Sequence, residues 1–263
     1  MNLPMYQVDA FASRVFSGNP AAVVPLERWL PDDVMQAIAT ENNLSETAYF
    51  VPRGEEYELC WFTPVAEIDL AGQPTLATAH VILNLLDAER DLVRFHTRKS
   101  GALTVSRDGD RLAMDFPARP PSPKANLGDV AGALRATPGE VLAARDGFAV
   151  FDSADEVISL SPDFAKVAAL DCMGLIATAP GAPGGGVDFV SRYFAPRHAI
   201  NQDPVTGSAH CTLIPYWAKR LGKSRLFARQ VSKRGGEIWC EHRGERVTIA
   251  GQCALSLEAT IRV

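Results

Sequence analysis

The feature that most constrains this chain is an internal repeat at an offset of 135 residues. Gly72 falls on Gly207, Lys99 on Arg234, Leu103 on Ile238, Gly109 on Gly244, Arg111 on Arg246 and Leu112 on Val247. The stretch RKSGALTVSRDGDRLAMDF thereby overlies KRGGEIWCEHRGERVTIAG. Both read as hairpins, with alternating apolar residues either side of a polar turn, Asp108-Gly109-Asp110 in one and Arg243-Gly244-Glu245 in the other. Upstream, Phe62-Thr63-Pro64 matches Phe194-Ala195-Pro196, with about three residues inserted in the second copy. Further upstream, SETAYFVP loosely matches GLIATAP. Each copy therefore runs strand, strand, F-x-P, glycine turn, helix, hairpin. A helix start and a following hairpin that align at one offset imply a duplicated α+β lobe rather than chance.

The two lobes are expected at 1–117 and 118–263, with the final strand free to cross back to the first lobe. The join is read as Pro117–Asp129, rich in proline and polar residues. Within the lobes, TLATAHVILNLLDAE and SAHCTLIPYWAKRLG are too apolar for surface helices, so each should be wrapped by the strands of its own lobe. The segment PDDVMQAIATENN, by contrast, reads as a surface helix with Asp at its start and Asn-Asn at its end.

Composition excludes several classes. With 263 residues, 47% apolar and 22% charged, the chain is an ordinary globular protein. A net charge of -5 argues against nucleic acid or an anionic membrane as partner. No apolar run approaches the ~20 residues that span a bilayer. The N-terminus shows no basic-then-apolar leader, so a cytoplasmic location is expected. Five scattered cysteines without a C-x-x-C pair point to reduced thiols rather than a disulfide scaffold or zinc site. The glycine-rich APGAPGGGVDF lacks the order of a phosphate-binding loop and reads as a flexible connection; DSADE reads as an acidic turn.

The chemistry should sit at the two glycine turns. A helix N-terminus carries unpaired amides and about half a positive charge, and a preceding glycine lets an anion approach the backbone. Gly207, Ser208, Ala209 and His210 all retain an N–H, and Ser208 adds a hydroxyl; Pro74, in Gly72-Gln73-Pro74-Thr75, has none. The Gly207–Ser208 end should hold the anion, most simply a carboxylate, more strongly. Glu46 lies in an apolar strand-like stretch, sharing a face with Leu44 and Ala48, while Ser45, Thr47 and Tyr49 share the other. A partly buried carboxyl there suits proton transfer near neutral pH, or simply an exposed strand position or ion pair. Asp203, four residues before Gly207, reads either as Asp-Pro turn chemistry or as a carboxylate beside the anion cradle. His80 and His210 read as packed core residues.

Taken together, VDAFASRVFSGNPAAVV, NLSETAYF, WFTPVAEIDLAGQPTLATAHVI and DPVTGSAHCTLIPYW resemble the PhzF family, named for a phenazine-biosynthesis isomerase. The resemblance spans about Tyr6 to Val263. It implies the diaminopimelate epimerase fold: two pseudo-symmetric lobes, each a barrel-like, mostly antiparallel sheet around a central helix, with the active site between them. It also implies no cofactor, no metal and a homodimer. By motif, the catalytic glutamate falls on Glu46, the acidic residue of D-P-x-T-G-S on Asp203, and the carboxylate-binding pair on Gly207 and Ser208, with Gly72 and Gln73 at the other helix start. The family usually carries histidine where this chain has Gln73, and glutamine cannot shuttle a proton. Related racemases of this fold place a thiol at each helix start; here Cys211 lies a turn too deep, which disfavours two-thiol racemisation. The implied activity is a cofactor-independent proton shift on a small carboxylate-bearing substrate. The alternative is a non-catalytic carboxylate-binding or interaction protein of the same fold, and a one-base epimerase would require Asp203 as the opposing acid.

Overall fold

A computed structural model describes residues 1–124, 126–198 and 200–263. The chain divides into two compact units, Met1–Asp115 with Ala250–Val263, and Phe116–Ile249. Each is α+β. Among the described residues no helix is long and apolar enough to cross a membrane.

In the first unit the elements are β1 (Asn2–Ala10), β2 (Asn19–Pro25), α1 (Asp32–Asn42), β3 (Glu46–Arg53), β4 (Glu56–Phe62), the short β5 (Glu67–Ile68), α2 (Gly72–Val81), β6 (Leu92–Thr97), β7 (Gly101–Asp108) and β8 (Arg111–Pro117). The final strand, Cys253–Arg262, pairs antiparallel with β1 along its length, from Asn2↔Arg262 to Ala10↔Cys253. β1 then pairs antiparallel with β2, β2 parallel with β3, β3 antiparallel with β4, β4 parallel with β6, and β6 antiparallel with β7. The two-residue loops at Gly54 and Gly109 put a glycine with φ of +62° or +64° first, as tight hairpins require.

The sheet has two working faces. On one, Tyr49, Cys60 and Phe62 pack with Val24 and Leu26 beneath α1, and the Tyr49 hydroxyl donates to the Met35 carbonyl at 2.7 Å. The half-exposed α1 ends at Asn43, whose left-handed φ of 49° closes the last turn. On the other lies α2, packed on β1, β2 and β3. Nine of its ten residues are buried, and small side chains let the strands come close. Its buried hydroxyls are satisfied within the helix: Thr75 donates to the Ala71 carbonyl at 2.6 Å and Thr78 to Pro74 at 2.7 Å.

The second unit contains α3 (Val130–Leu134), β9 (Glu140–Ala143), β10 (Gly147–Val150), α4 (Ala154–Ser159), α5 (Phe164–Ala169), β11 (Leu175–Pro180), β12 (Phe189–Ala195), β13 (Ile200–Asp203), α6 (His210–Leu221), β14 (Arg225–Gln230), β15 (Gly236–Arg243) and β16 (Arg246–Gly251). Its pairing repeats that of the first: β9 antiparallel to β10, β10 parallel to β11, β11 antiparallel to β12, β12 parallel to β14, β14 antiparallel to β15. Three short helices, α3 to α5, cover one face over a core of Leu134, Phe151, Val167 and Phe194. DSADE proves to be a helix start, with Ser153 and Glu156 forming a reciprocal capping box on α4.

α6 is buried over eight of its twelve residues. Trp217 stacks on Phe189 with ring centres 5.7 Å apart and donates to the Thr178 hydroxyl at 2.9 Å. Pro215 sits inside this helix and brings no N–H to the carbonyl four residues back. That carbonyl, on Cys211, accepts instead from the Arg119 amide at 2.8 Å. The segment expected as a join, 117–129, is thus fastened to the second unit, where Ser122 also bridges Ala143; Ala125 within it lies outside the described residues.

Two stability measurements check this packing. Gly18 (φ +66°) and Gly109 (φ +64°) share a left-handed backbone, but a Cβ on Gly18 would lie 2.2 Å from the Ala10 carbonyl oxygen, while nothing lies within 4 Å of one on Gly109. In urea unfolding, Gly109→Ala should cost about 1 kcal/mol, the conformational term alone. Gly18→Ala should cost several times as much, because backbone must also move. His210 is fully buried beside Phe189, and burial lowers its pKa from the usual 6.5 to about 4. Below pH 6.5 the unfolded chain takes up that proton and the folded chain does not until about pH 4, so this histidine withdraws stability as pH falls through that window. Unfolding of a folded His210→Gln variant between pH 7 and 4 should fall less steeply than that of the parent.

Candidate active site

In the first unit, three chain segments begin at one end of the sheet. β2 opens at Asn19, β3 at Glu46 beside Ala21 of β2, and α2 at Gly72. The parallel pairing of β2 with β3 is what brings two strand starts together, and the enclosed helix adds a third. Gln73 is buried and its Nε2 donates to the Asn19 carbonyl at 2.9 Å. A carbonyl only accepts, so this bond fixes which way the amide points: the NH2 faces Asn19 and Oε1 faces away. Oε1 is buried with no partner among the described residues. Glu46 is half-buried, with its Oε2 shielded from solvent. Tyr49, on the α1 side, places Thr47 there too, and alternation turns Glu46 and Ala48 to the α2 side. The structure thus gathers Glu46, Gly72 and Gln73 at one end of this unit.

The second unit gathers Asp203, Gly207 and Ser208 within one turn of chain. Asp203 ends β13 and its carboxylate accepts from the Thr206 hydroxyl. Gln230, at the end of β14, braces the turn from beneath. Its Oε1 accepts from the Thr206 amide at 2.9 Å, and its Nε2 donates to the Asp203 carbonyl at 2.9 Å and to the Thr206 hydroxyl at 3.2 Å. The helix itself starts later than the glycine suggests. Residues 207–212 form tight i→i+3 bonds, His210 to Gly207 at 3.0 Å and Cys211 to Ser208 at 3.2 Å, and α6 proper opens at His210. The reason is the Thr206 carbonyl, which is engaged by His210 Nδ1 at 2.9 Å. The amides of Gly207, Ser208 and Ala209 consequently donate to no group among the described residues. Three successive donors at a helix start beside a half-exposed serine hydroxyl make a cradle for a carboxylate.

His210 is accounted for by packing. Its Nδ1 faces an acceptor, which selects the neutral Nδ1–H tautomer. His80 is half-buried, and burial together with Arg107 lowers its pKa. The thiols are equally removed from chemistry, burial pushing Cys211 up to about 11 and Cys60 and Cys253 up to about 12.

Sequence reasoning missed Thr206, Gln230, Asp146 and Tyr193. Gln230 carried a signal: it follows Leu226 and Ala228 at the inward positions of β14, where a polar side chain needs a buried partner. Asp146 carried none in local sequence. It is buried, accepts from the Tyr193 hydroxyl at 3.0 Å, and desolvation raises its pKa.

The strand registers align the two copies residue by residue. Thr47 lies opposite Phe62 and Leu175 opposite Phe194, so Glu46 corresponds to Gly174. Likewise Trp61 lies opposite Ile68 and Tyr193 opposite Asp203, so Asp203 corresponds to Ile68. Neither acid has an acidic counterpart.

Known proteins resemble this chain along its whole length. The chain matches the family described as PhzC-PhzF, phenazine biosynthesis-like protein, over residues 8–259. It is 51% identical over 263 residues to an uncharacterized isomerase of Pseudomonas aeruginosa, covering 100% of both chains. A crystal structure of a PhzF-family phenazine biosynthesis protein from Enterococcus faecalis superposes with a TM-score of 0.95 at 46% identity, again over 100% of both chains. At 10% identity, a hydroxyproline epimerase from Agrobacterium vitis, solved with trans-4-hydroxy-L-proline, shares the fold alone, with a TM-score of 0.62 over 99% of this chain and 92% of that one. With its family match running almost end to end and its duplicated, helix-enclosing units in place, this chain belongs to the PhzC-PhzF family of phenazine biosynthesis-like proteins.

Proposed function

We propose that the protein is a cofactor-independent isomerase that shifts a proton on a small carboxylate-bearing substrate. The observation that carries this reading is the set of three amides at Gly207–Ala209 that have no partner among the described residues, in the turn that also holds the buried Asp203 carboxylate. The amides and the Ser208 hydroxyl bind the substrate carboxylate and stabilise the charge that develops when the neighbouring carbon loses its proton. Glu46 is the base that removes the proton and returns it to another carbon; one carboxyl group can serve both steps. Asp203, braced by Thr206 and Gln230, is the second acid. The reading requires both constellations to engage one substrate. Relatives named isomerases in Pseudomonas aeruginosa and Halalkalibacterium halodurans support the reaction class.

A second reading is favoured by one residue. Gln73 holds its place by a bond to Asn19 and has no titrating proton. If the reaction needs a titrating group there, the protein binds its carboxylate without turning it over.

Proton NMR in D2O separates the two. The protein is incubated with a panel of small amino-, hydroxy- and unsaturated ring carboxylates. Loss of a C–H signal, or appearance of an isomer, marks turnover; line broadening without exchange marks binding alone. Glu46→Gln should lower turnover about 10²- to 10⁴-fold while thermal unfolding stays close to the parent's. An active Glu46→Gln enzyme sinks the isomerase assignment. Gln73→His should add a titration between pH 5 and 8 to the rate of the active compound, where the parent's profile owes nothing to this position. Profiles of the same shape would show that residue 73 stands outside the reacting groups.

A further inference from the structure

We infer that Trp61 Nε1–H and Gln73 Oε1 form a donor and acceptor pair that selects the substrate's polar substituents at the start of α2. The inference rests on the reading above and assigns a role to Trp61, which that reading does not use.

Both atoms are buried without a partner among the described residues, in side chains 1% and 3% exposed. They are complementary and neither can change its part. An indole nitrogen only donates, and the bond to the Asn19 carbonyl fixes the amide of Gln73 so that its free oxygen, Oε1, can only accept. The sheet brings them to one side. Trp61 lies directly opposite Ala48 across the β3–β4 ladder, so it shares a face with Ala48 and, two residues further along β3, with Glu46. That face is opposite the one covered by α1 and is the side on which α2 packs. The second copy shows how far an aromatic at this position reaches. Its counterpart Tyr193 lies over Gly174, the counterpart of Glu46, so closely that a Cβ there would be 2.3 Å from the tyrosine oxygen. In that copy the polar tip of the aromatic is satisfied internally, on Asp146. In the first copy the residue corresponding to Asp146 is Ala21, because Gly147 pairs with Leu175 as Ala22 pairs with Thr47. The first copy thus has the donor without the internal acceptor.

A ligand that fills this end therefore offers an acceptor to Trp61 and a donor to Gln73. A plain carboxylate can satisfy only the first. A ligand with a hydroxyl or neutral amine beside the carboxylate satisfies both, and one lacking it leaves a buried acceptor bare.

The test uses three probes of similar size: acetate, glycolate and methoxyacetate. Glycolate adds an O–H to acetate; methoxyacetate keeps the oxygen and loses the donor. The 15N-labelled protein gives four indole signals, from Trp29, Trp61, Trp217 and Trp239, and Trp61→Phe identifies the one of interest. We expect glycolate to move the Trp61 indole signal and to bind at least about tenfold more tightly than either other probe. In Gln73→Met, of similar length without the acceptor, the advantage should fall below about twofold. Amides of Gly207 and Ser208 report the carboxylate cradle separately. A stationary Trp61 signal while those amides move overturns this inference and leaves the carboxylate reading standing, as do equal affinities for the three probes. A Trp61 response without the amides keeps this inference and removes the cradle. Silence at both sites overturns both.

Discussion

A helix without a polar face has to be enclosed. α2 buries nine of its ten residues, with His80 alone half-exposed, and its threonine hydroxyls fold back onto its own carbonyls. Such a helix can exist only inside a layer of strands, and only its ends remain to meet anything else. The remaining architecture follows from that. Parallel pairings of β2 with β3 and of β10 with β11 align strand starts, and the glycine turns deliver the helix starts to the ends of the sheets. The unpaired amides of a buried helix become concentrated where a ligand can use them.

Duplication supplies the scaffold twice, yet the chemical groups were not kept twice. Glu46 stands where the second copy has Gly174, and Asp203 where the first has Ile68. Around each retained acid the neighbours have changed to match. Tyr193 fills the space a side chain at 174 would need, and Ala21, beside Glu46, stands where the second copy has Asp146. Divergence on a symmetric frame thus assigns one acid to each copy, with different supports: a strand start for Glu46, and a turn braced by Thr206 and Gln230 for Asp203.

Much of this was legible in the sequence because it repeats. The hairpins over Gly109 and Gly244, the enclosed helices and the surface helix α1 all follow from periodicity and turn chemistry that local sequence controls. The helix start at His210 was not legible, since it depends on the Thr206 carbonyl being engaged by an imidazole and the Thr206 amide by a glutamine 24 residues further on. Nor was Asp146, whose partner Tyr193 is 47 residues away. The capping box on α4 was present in the residues as Ser153 and Glu156, but its acidic run resembles a turn until a helix is seen to follow. Long-range pairing, rather than any weakness of local signal, separates what could be read from what could not.

The proline in α6 has a consequence for how the two copies were joined. By leaving the Cys211 carbonyl without its helical donor, Pro215 creates a vacancy that only a residue from outside the helix can fill, and Arg119 fills it. The suture between the copies is therefore stitched into the heart of the second one rather than strung loosely before it. A boundary drawn at the end of the first copy's last strand and one drawn a few residues later are not equivalent cuts. A second copy deprived of Arg119 would inherit a helix with an open backbone acceptor. The joining segment is thus less a tether than a part of the unit it leads to.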